Sequence, residues 1–325
     1  MTAERMTALR IHEFGALPRL EAIACPRRAG EVLVKVLAAA ITHLDLTVAS
    51  GNFARTPSVP YVPGTQGVGV VVEGPSAGTR VRLSGQGLGV DRDGCWAEWI
   101  SVPPAAMSPI PKTLDPAVAV ALSTVAATAH VALHEVARVS SDDTLIVTGA
   151  GGAVGSVVAQ LAIRAGVSRV LGIVSRAESA AALPAGVEPV VGRGDVLAAA
   201  LARAGRGTVA VDTVGGDVLN VLLRAGIQPG GRVAIVGYTA GTGLELDLPS
   251  WLYNDVSLLP VNMLRRRGQS ADLLSAADRL ATSGDIAVPV QRVRLGDARA
   301  AVDRLRRGGV RGRLVLCPHE NGTIR

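Results

Sequence analysis

The stretch Leu145-Ile146-Val147-Thr148-Gly149-Ala150-Gly151-Gly152-Ala153-Val154-Gly155-Ser156-Val157-Val158-Ala159-Gln160-Leu161-Ala162 decides the fold. It begins as a short apolar strand (144–149), turns on glycines, and continues as an apolar-periodic helix from Val154 to Ala165. The glycines have a geometric reason. A tight turn needs backbone angles that side chains resist, and missing Cβ atoms let a diphosphate approach the chain. The helix start then offers free N–H groups and a positive dipole end to phosphates. Candidate phosphate-cradling residues are Gly151, Gly152, Ala153, Val154 and Gly155. The spacing is GxxGxxG rather than GxGxxG, so the strand–turn–helix setting supports the dinucleotide reading more than the pattern does. The alternative is a glycine-rich turn with no ligand.

Downstream, apolar segments at 169–175, 187–191, 208–214, 232–237 and 256–261 read as further strands with helical stretches between most of them. That alternation predicts an α/β domain whose parallel sheet is covered on both faces. The second strand ends in Ser175-Arg176, where an NAD binder usually places Asp or Glu about 20 residues after the glycines. A carboxylate would repel a 2′-phosphate, whereas Ser and Arg donate to it. The expected cofactor is therefore NADPH; the alternative makes Arg176 an ordinary surface arginine. Upstream, residues 1–115 read as an irregular all-β unit with strands at 31–41, 67–74, 79–85 and 96–102. After Arg267, helices at 270–284 and 296–308 and a strand at 312–317 are expected to rejoin that unit.

The 325 residues suggest two domains or one large one. Cys25, Cys95 and Cys317 stand far apart with no CxxC, which argues against a disulfide framework and a structural zinc site. The first residues lack the apolar core of a signal peptide, and the apolar run Ala117–Leu133 is interrupted by Ser123, Thr124, Thr128 and His130. A buried helix, no membrane span and a cytoplasmic protein are expected. Net charge is +6 and nearly all cations are arginine, with clusters at Arg265-Arg266-Arg267 and from Arg304 to Arg313. These read as phosphate or acidic-partner affinity, or simply as a solvated surface. No nucleic-acid motif accompanies them.

EVLVKVLAAAITHLDL (31–46), VPGTQGVGVVVEG (62–74), GCWAEWISV (94–102), TAHVAL (128–133), the glycine turn, VDTVGG (211–216), GGRVAIVG (230–237) and GRLVL (312–316) occur in one order along nearly the whole chain. In this the sequence resembles the medium-chain dehydrogenase/reductase superfamily, in its zinc-independent quinone oxidoreductase and enoyl reductase branch. The resemblance implies a GroES-like β domain (1–122 and 268–325), a doubly wound Rossmann domain (123–267), and a cofactor in the cleft between. The family places of catalytic zinc ligands hold Thr42, Thr65 and Thr124. Hydroxyls are poor Zn²⁺ ligands beside thiolate or imidazole, so no metal is expected.

By the same resemblance, Thr128 approaches the nicotinamide amide and Thr47 reaches the cofactor. Arg193 adds charge near the adenine ribose, and Gly215-Gly216 follow the fourth Rossmann strand. Ile235, Val236, Gly237 and Tyr238, with Val261, Asn262 and Met263, wall the nicotinamide, and Arg313 is a basic residue near the chain end. Family enoyl reductases often present a proton-donating Tyr where this chain has Phe53. Substitutes are Tyr61, His43 or water; Asp45 reads as a loop-holding residue. Phe53 tilts the reading toward quinones or activated enones, because a hydroquinone anion takes its proton from solvent. Phe53, Tyr61, Tyr238, Trp251 and Met263 are expected along a flat apolar pocket, with core packing the alternative for Trp251. The leading reading is an NADPH-dependent, metal-free reductase. A repurposed cyclase or lyase retaining NADPH, and a non-catalytic NADPH-binding protein, stand beside it. The apolar segment 256–264 predicts a homodimer paired edge to edge.

Overall fold

The ten-residue run Val32–Ile41, apolar apart from Lys35, is the strand around which the first unit is built. The computed structural model describes residues 5–263, 265, 270–308 and 310–319; Leu264, Arg266 and Arg267 lie outside them. The chain divides into two units, Met1–Ser123 with Asp278–Arg325, and Thr124–Ala277. In the first unit, β1 (Arg5–Arg10) and β2 (Arg19–Ala24) form an antiparallel pair. β3 (Val32–Ile41) pairs antiparallel with β4 (Gln66–Val71), which continues to β5 (Arg80–Ser84); β6 (Trp99–Val102) also pairs with β3, and β7 (Met107–Pro109) with β5. Val34, Val36, Leu83, Trp96 and Ile100 fill the core between them. The Trp96 indole N–H donates to the Ala40 carbonyl at 2.9 Å, so the one polar atom of that buried ring is satisfied.

This unit is not all β. Helix α1 (His43–Ala49) follows β3 directly. Its cause is local: Thr42 and Asp45 close a capping box, each side chain bonded to the other's backbone N–H.

In the second unit, α2 (Pro116–His130) runs in across the division and continues as a π-helical turn to Val136. The combined run is long and apolar enough to cross a membrane, but 71% of its most apolar window is buried within the fold, as a core helix requires. The strands are β8 (Thr144–Thr148), β9 (Arg169–Val174), β10 (Val187–Val191), β11 (Gly207–Asp212), β12 (Ile227–Ile235) and β13 (Ser257–Pro260). Helices α3 (Ala153–Arg164), α4 (Ala177–Ala180), α5 (Gly194–Ala204), α6 (Gly216–Val221) and α7 (Leu248–Asn254) lie between them. Every ladder is parallel and the order is β10-β9-β8-β11-β12-β13, with the winding reversing between β8 and β11. That is the doubly wound Rossmann order, in which ligands bind beyond the carboxyl ends at the reversal. Trp251 packs on the Ile146–Leu171–Val233 core and donates its indole N–H to Val256 O at 2.7 Å. It is a packing residue rather than the pocket wall expected.

The chain returns through α8 (Ser270–Thr282), β14 (Val290–Val293), α9 (Ala298–Arg307) and β15 (Arg313–Leu316), and β15 pairs antiparallel with β3. The division falls inside α8 rather than at residue 268. Asp278 explains why: it is buried and ion-paired at 2.5 Å with Arg82 of β5, which ties the second half of α8 to the β unit.

Candidate functional site

At the carboxyl end of β8 the chain turns through Gly149 at φ +61°, and a Cβ there would lie 2.7 Å from Thr213 Oγ1. A Cβ on Gly155 would come within 2.8 Å of the Gly149 carbonyl carbon, so this glycine lets α3 pack against the turn. Gly151 differs. Its added Cβ would meet only Val174 Cγ1, at 3.8 Å, so nothing in the protein demands glycine there. A cradle for an approaching phosphate does demand it. The N–H groups of Ala153, Val154 and Gly155 are first-turn donors without helical acceptors, and the cap residue Gly152 supplies no side-chain bond. The turn therefore fits a dinucleotide diphosphate.

Ser175 and Arg176 follow β9, and Arg193 follows the neighbouring parallel strand β10. All three are exposed, and no carboxylate stands at the end of β9. Neither guanidinium has an ion-pair partner among the described residues, and neither caps the helix it precedes.

On the other side of the reversal, Asp212 is fully buried and was not singled out from sequence. Its carboxylate accepts from Thr148 Oγ1 (2.5 Å), Gly215 N (2.9 Å) and Val214 N (3.3 Å). Thr213 adds N–H to Thr148 Oγ1 (2.9 Å) and hydroxyl to Thr148 O (2.8 Å). Burial pushes the Asp212 carboxyl up against these bonds. The network pins the ends of β8 and β11 at the point where a ligand would bind. An acid inside the apolar strand TVAVDTV was the signal available for it.

Gly215 (φ +72°) and Gly216 (φ +54°) have an internal reason as well: a Cβ on Gly215 would lie 2.8 Å from Tyr238 Cα. Val236 N donates to Asp212 O at 2.8 Å, and Val261 N donates to Ile235 O at 2.9 Å. Ile235 and Val236 are half-buried, Gly237 sits against Thr213, and Tyr238 is 59% exposed. Asn262 Oδ1 accepts from Arg265 N at 3.3 Å; beside it Val261 and Met263 are half-buried. Thus the expected loops of this unit gather at one sheet edge. Thr128 is half-buried on α2, and Thr124 is exposed.

A second cluster belongs to the β unit. Thr42 donates its hydroxyl to Asp45 Oδ2 (2.7 Å) and accepts from Asp45 N (3.2 Å). Asp45, 1% exposed, also accepts from Thr42 N and from Thr65 N, each at 2.8 Å. Burial raises its pKa despite these donors. The buried Thr42 hydroxyl is committed to holding α1. Thr47 donates to His43 O at 2.9 Å. Tyr61 is 2% exposed in a small core with Ile11, Val48, Ala49 and Val90, and Phe53 packs against that core. The Tyr61 hydroxyl has no hydrogen-bond partner among the described residues, and burial, then the Asp45 charge, pushes its pKa far above the ordinary range. A phenol so placed is a weak proton donor. His43 lies exposed at the start of α1, and the atoms packed on its ring, then Arg313, lower its pKa. Burial brings Arg313, at the start of β15, down to about 10, with Asp45 opposing the shift. The fold therefore gathers His43, Asp45, Tyr61 and Arg313, which are far apart in sequence.

Among the described residues, no three His, Cys, Asp or Glu side chains group to hold a metal ion. Thr42, Thr65 and Thr124 do not make a zinc donor set.

Residues 28–112 match the family model described as alcohol dehydrogenase GroES-like domain, and residues 153–280 match zinc-binding dehydrogenase. The chain is 30% identical over 242 residues to "Putative quinone oxidoreductase YhfP" of Bacillus subtilis, covering 71% of this chain and 72% of that protein. Among solved structures, AibC superposes with a TM-score of 0.82 at 27% identity, covering 98% of this chain and 97% of that one. Mycobacterial Rv1454c, complexed with NADPH, gives 0.81 at 26%, covering 96% and 100%. The chain belongs to the medium-chain dehydrogenase/reductase superfamily of oxidoreductases, in its zinc-independent, quinone oxidoreductase-like branch.

Proposed function

We propose that the protein is an NADPH-dependent, zinc-independent oxidoreductase that transfers hydride to a quinone or to the activated C=C of an α,β-unsaturated carbonyl compound. The observation that carries the cofactor choice is the end of β9. There Ser175 and an unpartnered Arg176 stand where NAD binders hold a carboxylate, and Arg193 follows the adjacent strand. In this reading the amides of Ala153, Val154 and Gly155 hold the diphosphate and the two arginines hold the 2′-phosphate. The NADPH complex of the mycobacterial relative supports it. The nicotinamide, when bound, supplies a hydride. Phe53 cannot give the second hydrogen and Tyr61 holds its proton tightly, so the proton comes from solvent. That favours acceptors whose reduced anions are readily protonated, in line with the description of the Bacillus relative.

The proposed protein is cytoplasmic and homodimeric, and takes a small apolar substrate. Among the described residues β13 pairs only with β12 and stands at the edge of its sheet, while Leu248, Leu252 and Tyr253 of the preceding α7 are exposed. The test uses NADPH deuterated at C4 with a panel of quinones and enones. Oxidation of the cofactor with deuterium in the product (or, for quinones, stoichiometric hydroquinone) supports the reading. Product without cofactor oxidation indicates a cyclase or lyase, and tight NADPH binding with no turnover across the panel indicates a binding protein.

A further inference from the structure

His130 closes α2 and His134 lies four residues on, in the π-helical turn that continues it. That spacing places both side chains on one face of the helix. The imidazole centroids are 4.7 Å apart with the rings tilted by 54°. Neither ring has a hydrogen-bond or ion-pair partner among the described residues, although His134 is exposed and His130 is partly so. Two adjacent imidazoles with free ring nitrogens, held by backbone alone, are a chelating arrangement.

We infer that His130 and His134 form a binding site for one divalent transition-metal ion of the copper, nickel and zinc group. The spacing fits. Metal–imidazole bonds are about 2.0–2.1 Å, and the ring centre lies roughly 1.1 Å behind the nitrogen. Two rings on one ion then hold their centroids about 4.5 Å apart at the near-right angle of tetragonal copper and about 5 Å apart at the tetrahedral angle of zinc, and the observed 4.7 Å lies between the two. No third His, Cys, Asp or Glu completes the set among the described residues. Water fills the remaining positions, and the ion exchanges freely. Copper binds most tightly in the order set by divalent-ion chemistry. Neither histidine is one of the three threonines at the family's zinc places or one of the residues proposed to hold the cofactor.

The probe is Cu²⁺, titrated into the full chain at neutral pH and followed by calorimetry and electron paramagnetic resonance. One ion per chain with hyperfine splitting from two imidazole nitrogens is expected. His130→Asn and His134→Asn should each weaken binding by about tenfold or more, through loss of the second, effectively intramolecular ligand, and should reduce the splitting to one nitrogen. Circular dichroism and melting of the metal-free variants should match the parent, because neither ring bonds to the protein. Copper affinity unchanged in His134→Asn, or no saturable binding at a hundredfold excess, overturns the assignment.

Discussion

Arg176 and Arg193 can be removed singly and together without touching the fold, because both are exposed and unpaired. A guanidinium–phosphate hydrogen bond contributes about 1.5–3 kcal/mol when well formed. Solvent screening at so exposed an edge reduces this to about 1–1.5 kcal/mol per arginine. At about 1.4 kcal/mol per decade, Arg176→Ala or Arg193→Ala should raise the NADPH Kd and KM roughly tenfold, and the double variant roughly a hundredfold. NADH lacks the 2′-phosphate, so its constants should stay within about twofold. The NADPH penalty should shrink as salt rises, since part of the lost attraction is already screened. Initial rates with both cofactors, at two ionic strengths and with melting temperatures alongside, measure all of this. Equal losses for NADPH and NADH, or no loss for either, would refute the reasoning, because the arginines would then not read the phosphate.

Gly155→Ala drives a methyl against the backbone of the Gly149 turn; overpacking of that kind costs about 1–3 kcal/mol, visible as a lower melting temperature and weaker NADPH binding. Arg82→Ala strands the buried Asp278 carboxylate and should destabilise by about 3–5 kcal/mol in denaturant titrations, with Arg82→Met plus Asp278→Leu recovering much of it; additive losses would contradict the pairing. His43, His134 and His319 are all lowered from the usual 6.5, each chiefly by burial. The unfolded chain therefore takes up those protons first, and their contribution to stability falls as pH drops through about 6.5, levelling off below the folded values. Urea midpoints from pH 7.5 to 5.5 should show a shallower slope in His319→Gln than in the parent, and an unchanged slope would count against it. Light scattering should give twice the chain mass, and a monomer would remove the edge-pairing proposal.

The Rossmann half was legible because its signals are local. Glycines at 149, 151, 152 and 155 between an apolar strand and an apolar helix dictate the turn without reference to anything distant. The strand order was not readable, but the alternation implied a parallel sheet, and a parallel sheet places the ends of β8, β9 and β10 at one edge. What was missed depends on pairings across the chain. Asp212 meets Thr148 across 64 positions and Arg82 meets Asp278 across 196, and no window of sequence contains either pair. Strands β1 and β2 hold each other through a pairing that their mixed composition does not announce. Helix α1 is a different case. Thr42-His43-Leu44-Asp45 carries the capping-box pattern openly, but seven residues are too few for helical periodicity to show. Thr42 drew attention as a family place of a zinc ligand, which hid its role as the helix cap.

The most direct test of the account is calorimetric titration of the full chain with NADPH and, in parallel, NADH. The account predicts one NADPH per chain, bound at least tenfold more tightly than NADH. Absence of heat on adding NADPH, or tighter binding of NADH, would contradict it.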